Sequence, residues 1–173
     1  MKGFCAVIIL AFLAACAPVR VQYDYEPGTV FANYSTYALV EGLQSGLSEL
    51  DERRLLEAVD RELRSKGFTL SEDAGLLLDI QSNIYQDPNQ SSVGFGLGGT
   101  GRNVGGGVSV GVPLSAGQLQ REIRFELIDP RRGRTLWQAF SQDRFDEMAT
   151  PLQREERFAQ IAARVFGGFP PEK

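Results

Sequence analysis

Histidine is absent from the 173 residues, and cysteine occurs only twice. Without an imidazole there is no Ser-His-Asp or Cys-His catalysis, no His-ligated zinc or haem, and no histidine pH switch. Two thiols cannot build a four-cysteine metal site. We therefore expect no metal and no cofactor, and nominate no catalytic residue. With 43% hydrophobic and 23% charged residues, the chain suits one globular domain and is too short for two comfortable ones.

Both cysteines, Cys5 and Cys16, fall in the N-terminal stretch. Lys2 precedes an almost wholly apolar run from Phe4 to Leu13, followed by the small residues Ala14 and Ala15. That order of positive charge, apolar segment and small residues is the layout of a secretory signal peptide. The apolar run is too short to cross a bilayer, which takes roughly twenty residues. Leu13-Ala14-Ala15-Cys16 resembles a bacterial lipobox. In such a motif the cysteine thiol receives diacylglycerol as a thioether and becomes the first mature residue. We expect residues 1–15 to be a lipoprotein signal peptide, Cys16 the lipid attachment site and residues 16–20 a short tether. By the same resemblance, Cys16 carries three acyl chains including palmitate, enough for stable anchoring. Ala17, where an aspartate commonly retains a lipoprotein in the inner membrane, favours the periplasmic face of an outer membrane. Loss of Lys2 with the signal leaves 17 basic against 22 acidic side chains, a net charge of −5. Once Cys16 is acylated, the mature domain has neither a disulfide nor a free thiol and depends on its core.

The remaining chain alternates strands and helices. Val19, Val21, Tyr23 and Tyr25 share one side of a half-buried strand, and Thr36 to Val40 forms a second short candidate. Ser48 opens a helix over 49–66, which Gly67 closes. Its apolar stripe is Leu55, Leu56, Val59 and Leu63, and Glu57-Arg61 and Asp60-Arg64 stand at ion-pairing spacing on its other faces. Residues 75–86 and 118–128 alternate as strands, the latter with Leu119, Ile123, Phe125 and Leu127 on one face. A turn at 129–134 joins the second of these to Thr135–Asp143 as a hairpin. Thr150-Pro151-Leu152-Gln153 starts a second helix with Phe158, Ile161, Ala162, Val165 and Phe166 on its apolar face, and Gly167-Gly168 stops it.

Nine of the 19 glycines lie between Gly94 and Gly111. Residues 96–101 match the glycine spacing of a dinucleotide fingerprint, but no strand leads directly into them and no helix follows. Glycines four apart suggest membrane helix packing, yet Arg102-Asn103 interrupts the segment. We read 93–112 as a glycine-rich loop between the third and fourth strands. The expected fold is α+β, with two helices packed on one antiparallel or mixed sheet of about five strands.

Several short motifs, in order, resemble the bacterial envelope lipoproteins of the domain of unknown function 4136 family. They are Tyr23-Asp24-Tyr25, the run Phe31 to Ala38, Leu127-Ile128-Asp129, Gly133-Arg134-Thr135-Leu136-Trp137 and Val165 to Pro171. The resemblance covers 21–171 and implies a compact α+β unit with a glycine-rich middle. It implies no catalytic residues.

Three functional readings suit these residues. The first is a non-enzymatic, lipid-anchored periplasmic module that binds an envelope protein partner or assists assembly. The second is a binder of anionic envelope lipid or glycan through Arg131, Arg132 and Arg134 in the hairpin turn. The third is a hydrolase using paired carboxylates, with Asp79 as the best internal candidate but no second acid placed opposite it. The net negative charge argues against nucleic acid.

Overall fold

The computed structural model describes residues 19–86 and 119–171. The expected signal peptide at 1–15, the acylation site Cys16 and the glycine-rich loop at 93–112 lie outside the described residues. The elements in chain order are β1 (Arg20–Tyr25), a 3-10 turn (Phe31–Asn33), β2 (Thr36–Leu39), α1 (Glu49–Ser65), β3 (Thr69–Leu70), β4 (Leu76–Gln86), β5 (Leu119–Asp129), β6 (Arg134–Arg144) and α2 (Pro151–Gly167). Six strands form one mixed sheet in the order β1-β6-β5-β4-β2-β3. Strands β1, β6, β5 and β4 are antiparallel neighbours, while β2 runs parallel to both β4 and β3. The sixth strand, β3, has only two residues, too few to show any alternation.

Local chemistry explains both helices. The Ser48 hydroxyl accepts from the Asp51 amide and opens α1. Beyond its end Gly67 takes φ +87°, and the Gly67 and Phe68 amides donate to the carbonyls of Arg64 and Leu63. This pair of bonds is the Schellman arrangement, in which glycine adopts the left-handed conformation at no Cβ cost. At α2 the expected capping box forms in full: Gln153 N donates to Thr150 Oγ1 and Thr150 N donates to Gln153 Oε1, with Pro151 at the first helical turn. Of the two ion pairs expected on α1, Asp60–Arg64 closes at 2.7 Å, whereas no Glu57–Arg61 pair forms among the described residues.

The core lies between one face of the sheet and the two helices. Alternate residues supply it: Leu76, Leu78 and Ile80 from β4, Ile123, Phe125 and Leu127 from β5, and Trp137 and Ala139 from β6. Leu136 is also fully buried although it neighbours Trp137. A bulge between Leu127 and Ile128 shifts the register so that Ile128 faces Thr135, leaving Leu136 as the extra residue. At the helix C-terminal end the core is aromatic. Phe169, just past α2, packs its ring 5.3 Å from Phe31, 5.4 Å from Phe68 and 5.2 Å from Trp137, and Phe166 stacks on Trp137 at 5.5 Å. Two tyrosines tie loops and strands across the molecule: Tyr37 donates to Asp60 on α1 at 2.6 Å, and Tyr34 donates to Asp129 at 2.9 Å.

Phe169→Ala is expected to cost about 3–5 kcal/mol of unfolding free energy, the range for deleting a buried aromatic ring. Met148→Ala, at an 88% exposed position, is expected to change stability by less than about 0.5 kcal/mol. Urea denaturation of the two variants checks the contrast.

The Tyr37–Asp60 pair predicts pH limits. Burial alone would raise the Asp60 carboxyl, but hydrogen bonds from Tyr37 and Arg64 outweigh it and hold it below the ordinary value. Its stabilising contribution is therefore complete above about pH 4 and lost as pH falls through the lowered value. Burial and the bond to Asp60 push the Tyr37 phenol upward, so its contribution is complete below about pH 10 and lost as pH rises beyond it. Urea midpoints across pH are expected to fall at both ends, and Tyr37→Phe is expected to remove the Tyr37 part of the alkaline decline.

Candidate functional site

The hairpin arginines are largely occupied by structural work. Asp129 Oδ1 accepts from the backbone amides of Arg131 and Arg132 at 2.8 and 3.2 Å, which fixes the turn. Arg132 pairs with Asp129 at 3.4 Å and Arg134 with Glu26 at 2.9 Å. Burial would raise the Asp129 carboxyl, but the bonds from Tyr34 and from those two amides hold it low. Arg131 lies exposed in the same turn.

Asp79 sits on the open face of the sheet. Its Oδ1 accepts from the Ile80 amide at 2.9 Å and its Oδ2 from Gln81 at 3.1 Å. Strand register places Glu126 directly opposite it, a second acid that only the long-range pairing reveals. Glu126 is in turn 3.8 Å from Arg124, which donates to Gln81. Among the described residues no group of three potential ligands could hold a metal.

A different site stands at the opposite end of β5 from the hairpin turn. The alternation that sends Ile123, Phe125 and Leu127 toward the helices sends Arg121 the same way, and only 9% of Arg121 is exposed. Its guanidinium carbon lies 4.1 Å from the Phe145 ring centre and 5.7 Å from that of Phe158. Three buried side-chain atoms among the described residues have no hydrogen-bond partner: Glu26 Oε2, Trp137 Nε1 and Arg121 Nε. Trp137 is neutral and Glu26 is paired with Arg134, so Arg121 alone carries a charge that no ion pair offsets. Burial pushes its pKa below the ordinary guanidinium value, against a partial upward pull from Asp51. Ring contacts worth up to about 2 kcal/mol do not match the several kcal/mol that desolvating a charge costs.

Arg121 borders a cavity of about 300 Å³ whose wall includes Phe145, Ala149, Arg154, Arg157, Phe158 and Ile161. Of the other three guanidiniums there, Arg144 is exposed, and Arg154 and Arg157 already have acids. Arg157 forks onto both oxygens of Asp143. Arg154 reaches Asp51 at 2.9 Å and donates to the carbonyls of Ala149 and Glu147. Asp51 also accepts from Arg54 at 2.9 Å, so one buried carboxylate joins the first turn of α1 to the first turn of α2. Both helices therefore begin at this end; Glu49, Asp51 and Glu52 offset the N-terminal dipole of α1, while that of α2 has no acid in its first turn and adds positive character. An arginine on an otherwise apolar strand face is the one sequence signal for this site, and alternation by itself passes over it.

Comparisons with known proteins agree with this architecture. The sequence model of the family described as "Domain of unknown function (DUF4136)" matches residues 21–171. No curated protein matches the chain. Among solved structures it is similar to a PDZ domain protein from Parabacteroides distasonis ATCC 8503, with a TM-score of 0.57 and 16% identity over 97% of this chain. The chain spans 40% of the length of that protein. It is also similar to a DUF4136 family protein from Bacteroides thetaiotaomicron VPI-5482, with a TM-score of 0.54 and 14% identity, covering 90% of this chain and 97% of that one. A PelC dodecamer from Paraburkholderia phytofirmans gives a TM-score of 0.52 and 12% identity, covering 90% and 99%. At these identities the likeness is one of fold.

Asp51→Ala removes the shared acceptor of Arg54 and Arg154 and the acid nearest in effect to Arg121. It is expected to cost about 2–3 kcal/mol, less than a fully enclosed pair because both arginines are partly solvated. Chemical denaturation alongside Arg54→Ala, which leaves the Arg154 bond intact and is expected to cost less, checks the ranking.

Proposed function

The chain belongs to the DUF4136 family, and from that premise we propose that it is a non-enzymatic, lipid-anchored module of the bacterial envelope that binds or helps assemble another envelope component. Cys16 is the acylated residue, and the outer membrane, on its periplasmic face, is the compartment. The observation that carries the reading is the placement of the chain's entry into the sheet. Arg20, the first residue of β1, pairs with Gln142, which in turn faces Glu122. The four residues from Cys16 to Arg20 span at most about 14 Å. An anchor on Cys16 would thus hold the Arg121 end of the sheet beside the bilayer.

The hairpin turn lies at the far end of β6, eight residues beyond Gln142 and about 27 Å away at the rise of an extended strand. Its arginines stand at the end farther from that membrane, and the pairing of Arg132 with Asp129 and of Arg134 with Glu26 supports a structural role. This geometry favours the cavity end over Arg131, Arg132 and Arg134 as the place where an anionic envelope ligand would meet the domain. The similar PelC protein is a dodecamer, which supports a fold suited to assembly. No helix among the described residues is long and apolar enough to cross a membrane, so a membrane attachment by this reading rests on the lipid.

Metabolic labelling with a palmitate analogue tests the reading. The wild type is expected to carry the label and to fractionate with outer membranes, and Cys16→Ser is expected to lose both. An unlabelled wild type overturns the anchor.

A further inference from the structure

We propose that the cavity under Phe145 and Phe158 is a binding site for a phosphate ester, with the Arg121 guanidinium as its principal donor and an anionic phospholipid headgroup as the ligand that suits its position. The phosphate site stands on the cavity alone, whereas the choice of a lipid rests on the Cys16 anchor proposed above.

Arg121 is costly to the domain that contains it. An arginine of which only 9% is exposed, with Nε unsatisfied, destabilises the fold. Replacing it by an apolar side chain of similar length would relieve that cost, so its presence calls for something that supplies oxygen acceptors. A guanidinium fork matches two oxygens of one phosphate, and such charge-assisted pairs are stronger than neutral hydrogen bonds. The surroundings select for the same chemistry. Arg154 and Arg157 are offset at the wall by Asp51 and Asp143, and Arg144 and Asp146 also line the cavity, so Arg121 is the buried cation there that lacks an acid of its own. The first turn of α2, which carries no acidic residue, contributes in the same sense. Phe145, Phe158 and Ile161 line the cavity beside these charges and provide an apolar surface for the glycerol part of an ester. At about 300 Å³ the space fits a headgroup rather than acyl chains, which would remain in the bilayer.

The test uses the purified full-length lipoprotein in neutral detergent micelles. Thermal unfolding is followed during titration with inorganic phosphate, glycerol 3-phosphate and dihexanoylphosphatidylglycerol. The wild type is expected to be stabilised by all three, and by the lipid at the lowest concentration. Arg121→Met is expected to weaken binding by about 10–100-fold, the loss of one charged hydrogen-bonding group, while raising the melting temperature without ligand. Arg164→Gln, exposed on α2 away from the cavity, is expected to bind as the wild type does. Should Arg121→Met fail to fold, Ala149→Phe at the cavity wall is expected to abolish the shifts with an unchanged circular dichroism spectrum. No shift in the wild type overturns the proposal, as does undiminished binding by Arg121→Met or Ala149→Phe. Stabilisation by glycerol 3-phosphate with no gain from the lipid sustains the phosphate site and overturns its lipid source. If the phosphate shifts persist while Cys16 carries no acyl label, the anchor falls and the site stands.

Discussion

The sheet is longer than the helices that cover it, and the rest of the molecule answers to that mismatch. Strands β4, β5 and β6 have eleven residues each and extend about 36 Å, while the 17-residue helices reach only about 25 Å. Two helices on one face cannot cover such strands from end to end. At one end the shortfall is made good by Phe169, whose ring packs on Trp137 and against Phe31 of the 3-10 turn. At the other end the strands run on past the helix starts, and Ile84 and Tyr85 are left exposed. The Arg121 cavity occupies the boundary between covered and uncovered sheet.

The two ends follow different stabilising logic. The aromatic end is built from rings in edge-on and stacked contact, with hydrophobic burial as its main term. The other end is organised by charge, through Asp51 shared between two arginines and Asp143 gripping Arg157. A network of that kind is costly to break and contributes little against an apolar replacement, so its value lies in fixing where charges stand. The domain can carry one unsatisfied guanidinium at its polar end because the aromatic end supplies a conventional core.

Much of this fold was legible from local chemistry. The start of α2 was visible because Thr150, Pro151 and Gln153 each have a specific duty in a capping box, and the end of α1 because Gly67 meets a left-handed requirement. The long strands were visible because a sheet covered on one face forces alternation. What escaped depends on pairing between distant residues. Leu136 is buried through a bulge that belongs to the β5–β6 register, and Glu126 meets Asp79 only once β4 and β5 are aligned. Arg121 escaped for another reason. A strand face with four apolar residues reads as apolar, and a single arginine in the pattern looks like a tolerated exception. Its significance comes from Phe145 and Phe158, which approach it from outside the strand.

The antiparallel pairing of β1 with β6 has a mechanical side. Six residues, Arg20 to Tyr25, are matched one for one with Gln142 to Trp137, and their hydrogen bonds run across the strand axis. Tension applied at Val19 along that axis pulls β1 lengthwise past β6 and loads every rung together. A strand pulled sideways would instead give up its rungs one after another. A domain held by its N-terminal side while its far end is engaged would thus resist drag through shear, with the whole length of β1 sharing the force.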